Sequence, residues 1–359
     1  MRLFNGLIVL GALACGLLAI PKAGVAQDLP DRFDPAVNEP LASVSNPPQG
    51  QPATQPSAQG DLSDSPLYDC ACGCGIFEVG TSSMLPTGMN GLMLYLEYDY
   101  MDQNKNWSGD KSAPPADNGD KEIRTSFLTP GLQYFFNRSW GIQAEVMLAN
   151  RYFKTTGGAS GNDVVAFDWN ALGDTRLEGI YSGFFPDQSL GVTFGAKLPT
   201  GRWNHNDDFD DIDRDSEIGT GSTDALLGGY YRNNLTTDGS VTWFAQLTSD
   251  IPILFQDGYR PGAEADAALG VYLNGLSIGR MGVSPLFQVL DGLRGSDTGA
   301  EASSPIASGY ERVLVSPGLE LNLHPITIYG DVEIPVYARV IGNQLIATSL
   351  FKIIISYHF

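Results

Sequence analysis

The last ten residues, Leu350 to Phe359, place Phe351, Ile353, Ile355, Tyr357 and Phe359 on one face of a strand. Lys352, Ser356 and His358 fall on the other. A strand with an apolar face, a polar face and an aromatic C-terminal residue suits the closing strand of an outer-membrane β-barrel. Its outer face must meet lipid, its inner face a wet lumen, and no unpaired edge can remain in hydrocarbon. These five apolar positions are therefore the candidate assembly signal, and barrel-assembly machinery is an expected partner.

The N-terminus agrees. Arg2, an apolar run from Leu7 to Ile20 and small residues at Ala23, Gly24 and Ala26 predict a signal peptide over residues 1–26, cut after Ala26. Cys15 does not read as a lipoprotein cysteine, because Ala12 stands three residues before it and apolar residues continue past it. After Ala26 no run of about 18 apolar residues exists, so a membrane protein of this sequence must span with strands. Cleavage removes Arg2 and Lys22 and no acid, taking the formal charge from -20 to -22. That acidity excludes nucleic acid as a natural partner and favours cations over anions.

Residues 27–69 are rich in Pro, Gln, Ser and Asp, without usable periodicity, and read as a disordered periplasmic tether. Residues 70–90 form a Cys-bearing lead into a barrel expected over 91–359. There about twelve alternating segments follow one another, from Leu92–Tyr100 to Ala347–Phe359. Short connections such as Asn137-Arg138-Ser139, Asn274-Gly275 and His324-Pro325 alternate with longer polar ones at 102–121, 155–167, 201–222, 255–263, 291–309 and 340–346. Short periplasmic turns with longer outer loops place both termini in the periplasm. The expected fold is thus all-β, a transmembrane antiparallel barrel of about twelve strands in the outer membrane. Pro130, Pro285, Pro317 and Pro335 lie inside expected strands, where bulges or kinks would accommodate the missing N–H.

With the apolar parity facing lipid, the opposite parity assigns Glu97, Asp99, Glu145, Arg151, Asp174, Arg176, Glu178, Lys197, Asp250, Asp266, Arg280, Arg312, Glu320, Asp331, Glu333, Arg339, Lys352 and His358 to the lumen. Both signs can pair across strands and fill the interior, or line a narrow path for polar solutes. Asp207, Asp208, Asp210 and Asp211 begin an acidic loop that could hold Ca²⁺ or stay solvated; it lacks the glycine and closing glutamate of the helix-loop-helix calcium site. Cys70, Cys72 and Cys74 could form a disulfide or hold a soft metal ion, and a periplasmic protein is their candidate partner. Catalysis has no linear motif: His205, His324 and His358 are scattered, and neither Gly-x-Ser-x-Gly nor His-Glu-x-x-His occurs.

Three segments carry a family resemblance: Ala171-Leu172-Gly173-Asp174-Thr175-Arg176, Leu190 to Gly201 with its Pro199-Thr200-Gly201 end, and Gly219-Thr220-Gly221-Ser222-Thr223-Asp224. Over 171–231 the chain resembles the outer-membrane transporter family of the meta-pathway of phenol degradation. The resemblance implies a small-solute outer-membrane channel, sometimes linked to aromatic substrates. The Pro-rich tether and the Cys cluster depart from that family's pattern. The expected function is diffusion of small solutes, aromatic or cationic, through a non-enzymatic channel. The rival reading is a non-conducting barrel that anchors the Cys-rich segment to a metal or redox partner.

Overall fold

The structure, a computed structural model, describes residues 91–157, 163–205, 213–303 and 306–359. The signal peptide, the tether and the Cys70, Cys72 and Cys74 segment lie outside these residues, as do Asp207, Asp208, Asp210 and Asp211. The described chain is β-sheet with two single-turn 3-10 segments, Pro115–Asp117 and Arg214–Ser216.

Eleven long strands form the wall. In order they are β1 (Gly91–Gly109), β3 (Asp120–Phe135), β4 (Trp140–Gly157), β5 (Asp163–Tyr181), β6 (Leu190–Leu198) and β7 (Thr223–Asn234). Then come β8 (Val241–Leu254), β10 (Glu264–Leu273), β12 (Met281–Arg294), β14 (Tyr310–Leu323) and β15 (Ile326–His358). Four short pieces accompany them: β2 (Lys111–Ser112), β9 (Tyr259–Arg260), β11 (Leu276–Ile278) and β13 (Thr298–Gly299). Each wall strand pairs with the next, and β15 returns to β1, so the sheet closes on itself.

Every pairing in that ring is antiparallel. An odd ring cannot alternate throughout, so one of the eleven elements must reverse direction. It is β15, whose 33 residues would measure about 110 Å if straight, far beyond a bilayer of about 30 Å. Its first half pairs with β14 and its second half with β1. The reversal falls at Gly342, whose φ of +75° is open to glycine at little cost. At the far end the His358 N–H donates to the Pro325 carbonyl at 2.9 Å. The wall therefore has twelve passes, an even number with no free edge.

Facing outward on β1 are Leu94, Leu96 and Tyr98, and on the closing pass Phe351, Ile353, Ile355 and Tyr357, all exposed. Register places Leu94 beside Tyr357, Leu96 beside Ile355 and Tyr98 beside Ile353, which makes a continuous apolar band. From Leu92 to Tyr100 the band spans about 20 Å along the barrel axis once strand tilt is allowed for. Aromatic pairs ring the short-turn end: Tyr134 with Phe136 at 5.2 Å, Trp140 with Tyr181 at 4.7 Å, Tyr231 with Trp243 at 5.3 Å and Tyr357 with Phe359 at 4.7 Å. Amphipathic rings gather at such depths because one edge prefers hydrocarbon and the other water. The fold and this band define an outer-membrane type of barrel.

Strands outrun the band on the opposite side. β1 continues to Gly109, β4 to Gly157 and β5 starts at Asp163, so much of the connections expected at 102–121 and 155–167 is paired strand. The expected 340–346 loop is only the tight reversal at Gly342. Many outward residues there are polar, such as Asp102, Asn104 and Asn150, with Val164 and Ile341 as apolar exceptions, while Met101, Gln103 and Ala149 still pack inside. Lipid-facing hydropathy cannot reveal a strand that has left the lipid.

The interior prolines behave differently from one another. Pro285 and Pro317 sit in continuous register, opposite Leu319 and Phe287. Pro335 lies at a bulge, where Leu314 pairs with Pro335 but Val313 with Tyr337. Because strand faces alternate with period two, that extra residue flips the parity beyond it. Ala338 and Val340 turn inward, and Arg339 is exposed on the outside rather than in the lumen.

The short turns are locally encoded. Asn137 Oδ1 accepts from the Ser139 and Trp140 N–H groups at 2.8 and 3.0 Å. Asp238 caps Ser240 at 3.1 Å, and hydrogen bonds from Thr236 and Ser240 hold its carboxyl down at about 2.

Candidate functional site

The lumen divides into a packed side and a hollow side. On the packed side, formed by β1, β12, β14 and β15, the Lys352 ammonium lies 2.9 Å from Glu97 and 3.6 Å from Asp99, with buried Glu333, Arg312 and Asp331 on the neighbouring strands. Asp331 Oδ2 accepts from Tyr329 at 2.6 Å, Ser316 at 2.7 Å and Gln288 at 2.9 Å, which compensates its removal from water. The Arg312 guanidinium sits 3.8 Å over the Tyr310 ring. Met93, Tyr95, Leu286, Tyr329 and Ile354 form an apolar cluster in the interior. Apart from Glu97, which also reaches the cavity on the other side, the acids and bases here fill space.

The hollow side is a cavity of about 270 Å³, lined mainly from β3 to β8 and by the segments 214–220 and 259–264. Of the residues assigned to the lumen from sequence, Glu97, Glu145, Arg151, Asp174, Arg176, Glu178, Lys197 and Asp250 line it. Asp99, Asp266, Arg312, Asp331, Glu333 and Lys352 point inward but are buried away from it, and Glu320 and His358 are half-buried. Arg280 lies in the exposed turn between β11 and β12.

Ion pairs cross the cavity wall. Arg176 meets Asp250 at 3.2 Å, and Lys197 bridges Asp250 at 3.2 Å and Asp224. Glu145 accepts from Gln143 at 2.7 Å and from the Tyr95 hydroxyl. Sequence parity could have found Asp224, which shares the inward face of β7 with Leu226 and Tyr230. Glu217, Arg214, Tyr259 and Arg294 also line the cavity, but they lie in connections or at a strand end, where no alternating pattern exists to read.

The connection between β6 and β7 forms one wall of the cavity. Its described parts are 199–205 and 213–222, and the second includes Ile218, which packs in the cluster with Met101, Ile123 and Phe127. Arg151 reaches it from β4, donating to the carbonyls of Ser216 at 2.5 Å and Glu217 at 3.2 Å and to Thr125 at 3.1 Å. Arg214 donates to the carbonyls of Trp203 and, at 3.2 Å, Thr220, and lies 5.0 Å over the Tyr259 ring.

The neck of this connection gathers the three segments that carry the family resemblance. Asp174 accepts from the Gly201 N–H at 3.0 Å, the Thr220 N–H at 2.9 Å and the Thr220 hydroxyl at 2.6 Å. A shift of register between Val146 and Leu148 opposite leaves both Gly173 and Asp174 facing inward, so a bulge aims this carboxylate. Gly219 donates to the Arg202 carbonyl at 2.8 Å. A Cβ on Gly201 would stand 2.8 Å from the Gly219 Cα, and one on Gly219 2.5 Å from the Gly201 carbonyl carbon, so both positions need glycine.

Burial pushes the Glu217 carboxyl up to about 7, with the His205 N–H and Arg151, Arg214 and Arg202 opposing. A raised carboxyl favours the neutral form in the folded state. Its contribution to docking is therefore full below the ordinary carboxylate range and is lost as pH rises through about 7. Unfolding midpoints of the wild type are expected to fall between pH 5 and pH 8 more steeply than those of Glu217→Gln. Identical slopes would contradict this.

Among the described residues no group of three or more His, Cys, Asp or Glu is placed to hold a metal ion. The candidate ligands Cys70, Cys72, Cys74, Asp207, Asp208, Asp210 and Asp211 lie outside those residues.

Closed barrel and apolar band together define the architecture of an outer-membrane type of β-barrel. The fold matches that of an outer-membrane channel from Pseudomonas putida F1, with a TM-score of 0.56 and 12% identity, over 79% of this chain and 100% of that one. The β-domain of the Bordetella autotransporter BrkA gives 0.46 and 14% over 76% of this chain and 100% of that one. The monoaromatic hydrocarbon channel CymD gives 0.40 and 10% over 79% and 94%. The likeness is one of fold, carried by the first of these. No protein-family model and no curated protein matches the chain.

Proposed function

We propose that the chain is an outer-membrane channel through which small solutes diffuse, with both termini in the periplasm. The observation that carries this reading is the cavity, lined by many charged side chains, inside a wall whose exterior is an apolar band. Outer-membrane lipid, the barrel-assembly machinery acting on Phe351 to Phe359, and a small-molecule solute are its partners. The convergence of Asp174, Gly201 and Thr220 from three separate segments supports the finer reading, kinship with the meta-pathway transporter family and its aromatic solutes.

The cavity lining carries nine acids, Glu97, Glu145, Asp174, Glu178, Asp215, Glu217, Asp224, Asp250 and Glu264. Five bases oppose them, Arg151, Arg176, Lys197, Arg214 and Arg294, which leaves an excess of four acids, or three with Glu217 in the neutral form that burial favours. A narrow low-dielectric passage focuses that field, so cations are favoured, less so as salt shortens the Debye length to about 3 Å at 1 M.

Planar-bilayer recordings test both statements. Discrete openings are expected from the full chain and from a chain lacking the residues before Gly91. Silence from both would favour the anchoring scaffold. Reversal potentials in a salt gradient are expected to show mild cation preference that weakens in Glu178→Gln, and anion preference would refute the electrostatic reading.

A further inference from the structure

We propose that Asp174 is the positioning residue that sets the bore of the channel, by joining Gly201 to Thr220 and so holding Ser216 to Ile218 against the cavity. The inference rests on the channel reading above and adds to it the group that determines which solutes fit.

The geometry is specific. One buried carboxylate receives three hydrogen bonds from the two ends of a single connection, and both oxygens are used. Gly201 and Gly219 approach so closely that the two ends have no independent freedom while the clasp holds. Beyond it, Glu217, Ile218 and Gly219 line the cavity directly. Ile218 is 5% exposed and Ser216 fully buried, so the segment is packed against the wall. Arg151 holds the middle of the segment through the Ser216 and Glu217 carbonyls, and Arg214, itself part of the connection, ties Trp203 to Thr220 within it, so Asp174 is the carboxylate of the barrel wall to which both ends are hydrogen-bonded.

A carboxylate is needed because all three donors point at it. In Asp174→Asn the amide nitrogen replaces an accepting oxygen and faces either the Gly201 N–H or the two donors of Thr220. Hydrogen bonds to charged groups are strong enough that losing one is worth about tenfold or more in the docked population.

The test uses the full chain carrying Cys70→Ser, Cys72→Ser and Cys74→Ser, with Ile218→Cys or Ser216→Cys as a reporter. Labelling by an impermeant maleimide is measured alongside single-channel conductance, and heat-modifiable gel mobility confirms that each barrel is closed. Asp174→Asn and Thr220→Val are expected to label at least about tenfold faster and to conduct more, whereas Thr220→Ser, which keeps the hydroxyl, behaves as the parent. Unchanged labelling in Asp174→Asn overturns the proposal, as does faster labelling with unchanged conductance in a chain that conducts. Absence of current in every variant, whatever the labelling, instead refutes the channel reading, and the bore with it.

Discussion

Replacing Lys352 by Met is expected to destabilise the barrel by about 3 to 5 kcal/mol, the range found when one partner is removed from a buried ion pair. Its side chain is 3% exposed and sits between Glu97 and Asp99, with Glu333 buried on the adjoining half of β15. Without the ammonium those carboxylates must take up protons or remain charged in a site from which water is excluded. Adding Glu97→Gln and Asp99→Asn should recover part of the loss, because the cost arises from uncompensated charge and not from the absent lysine itself. Urea midpoints of the refolded protein in detergent measure it. Equal midpoints for wild type and Lys352→Met would refute the packed-side description.

Removing Tyr357 to Phe359 is expected to leave most of the chain unable to reach the heat-modifiable form, with deletion of Phe359 alone giving a smaller but clear loss. The closing pass is paired on both sides: Tyr357 lies opposite Leu94 and His358 opposite Met93, the Phe359 N–H donates to the Leu92 carbonyl at 2.9 Å, and the His358 N–H to Pro325. Truncation bares backbone groups on β1 and on the first half of β15 together. At the membrane edge each unsatisfied group costs several kcal/mol. The Tyr357 and Phe359 rings are also lost from the aromatic belt. Normal gel mobility of the three-residue truncation would show that closure does not depend on this end.

Sequence alone determined the sheet class, most of the outward faces and an approximate strand number, about twelve where the ring has eleven elements making twelve passes. A period of two with apolar residues on one parity gives a sheet with one apolar face, and its persistence to the terminal aromatic, with short and long connections in alternation, singles out a lipid-facing wall; about twelve alternating segments correspond to twelve passes. The strand limits Val241–Leu254, Glu264–Leu273 and Tyr310–Leu323 could be read directly because turn residues bound them. Inward residues such as Asp174, Arg176 and Lys197 were legible for the same reason.

What parity cannot carry is a change of parity. The bulge at Pro335 sends Arg339 outward, and the bulge at Gly173 and Asp174 puts Trp169 on the same inner face as Asp174 although the two are of opposite parity. Both depend on the register of the neighbouring strand, a relation between residues far apart in the chain. Nor could sequence divide the interior into a packed half around Lys352 and a hollow half around Arg176 and Lys197, since an inward charge has the same pattern in either. That division comes from which strands face one another across the closed ring and from Arg151 and Asp174 drawing the segment 213–222 against the cavity. Local alternation sets which side of the wall a residue occupies, whereas three-dimensional closure decides whether it meets water, a partner charge or a packed core.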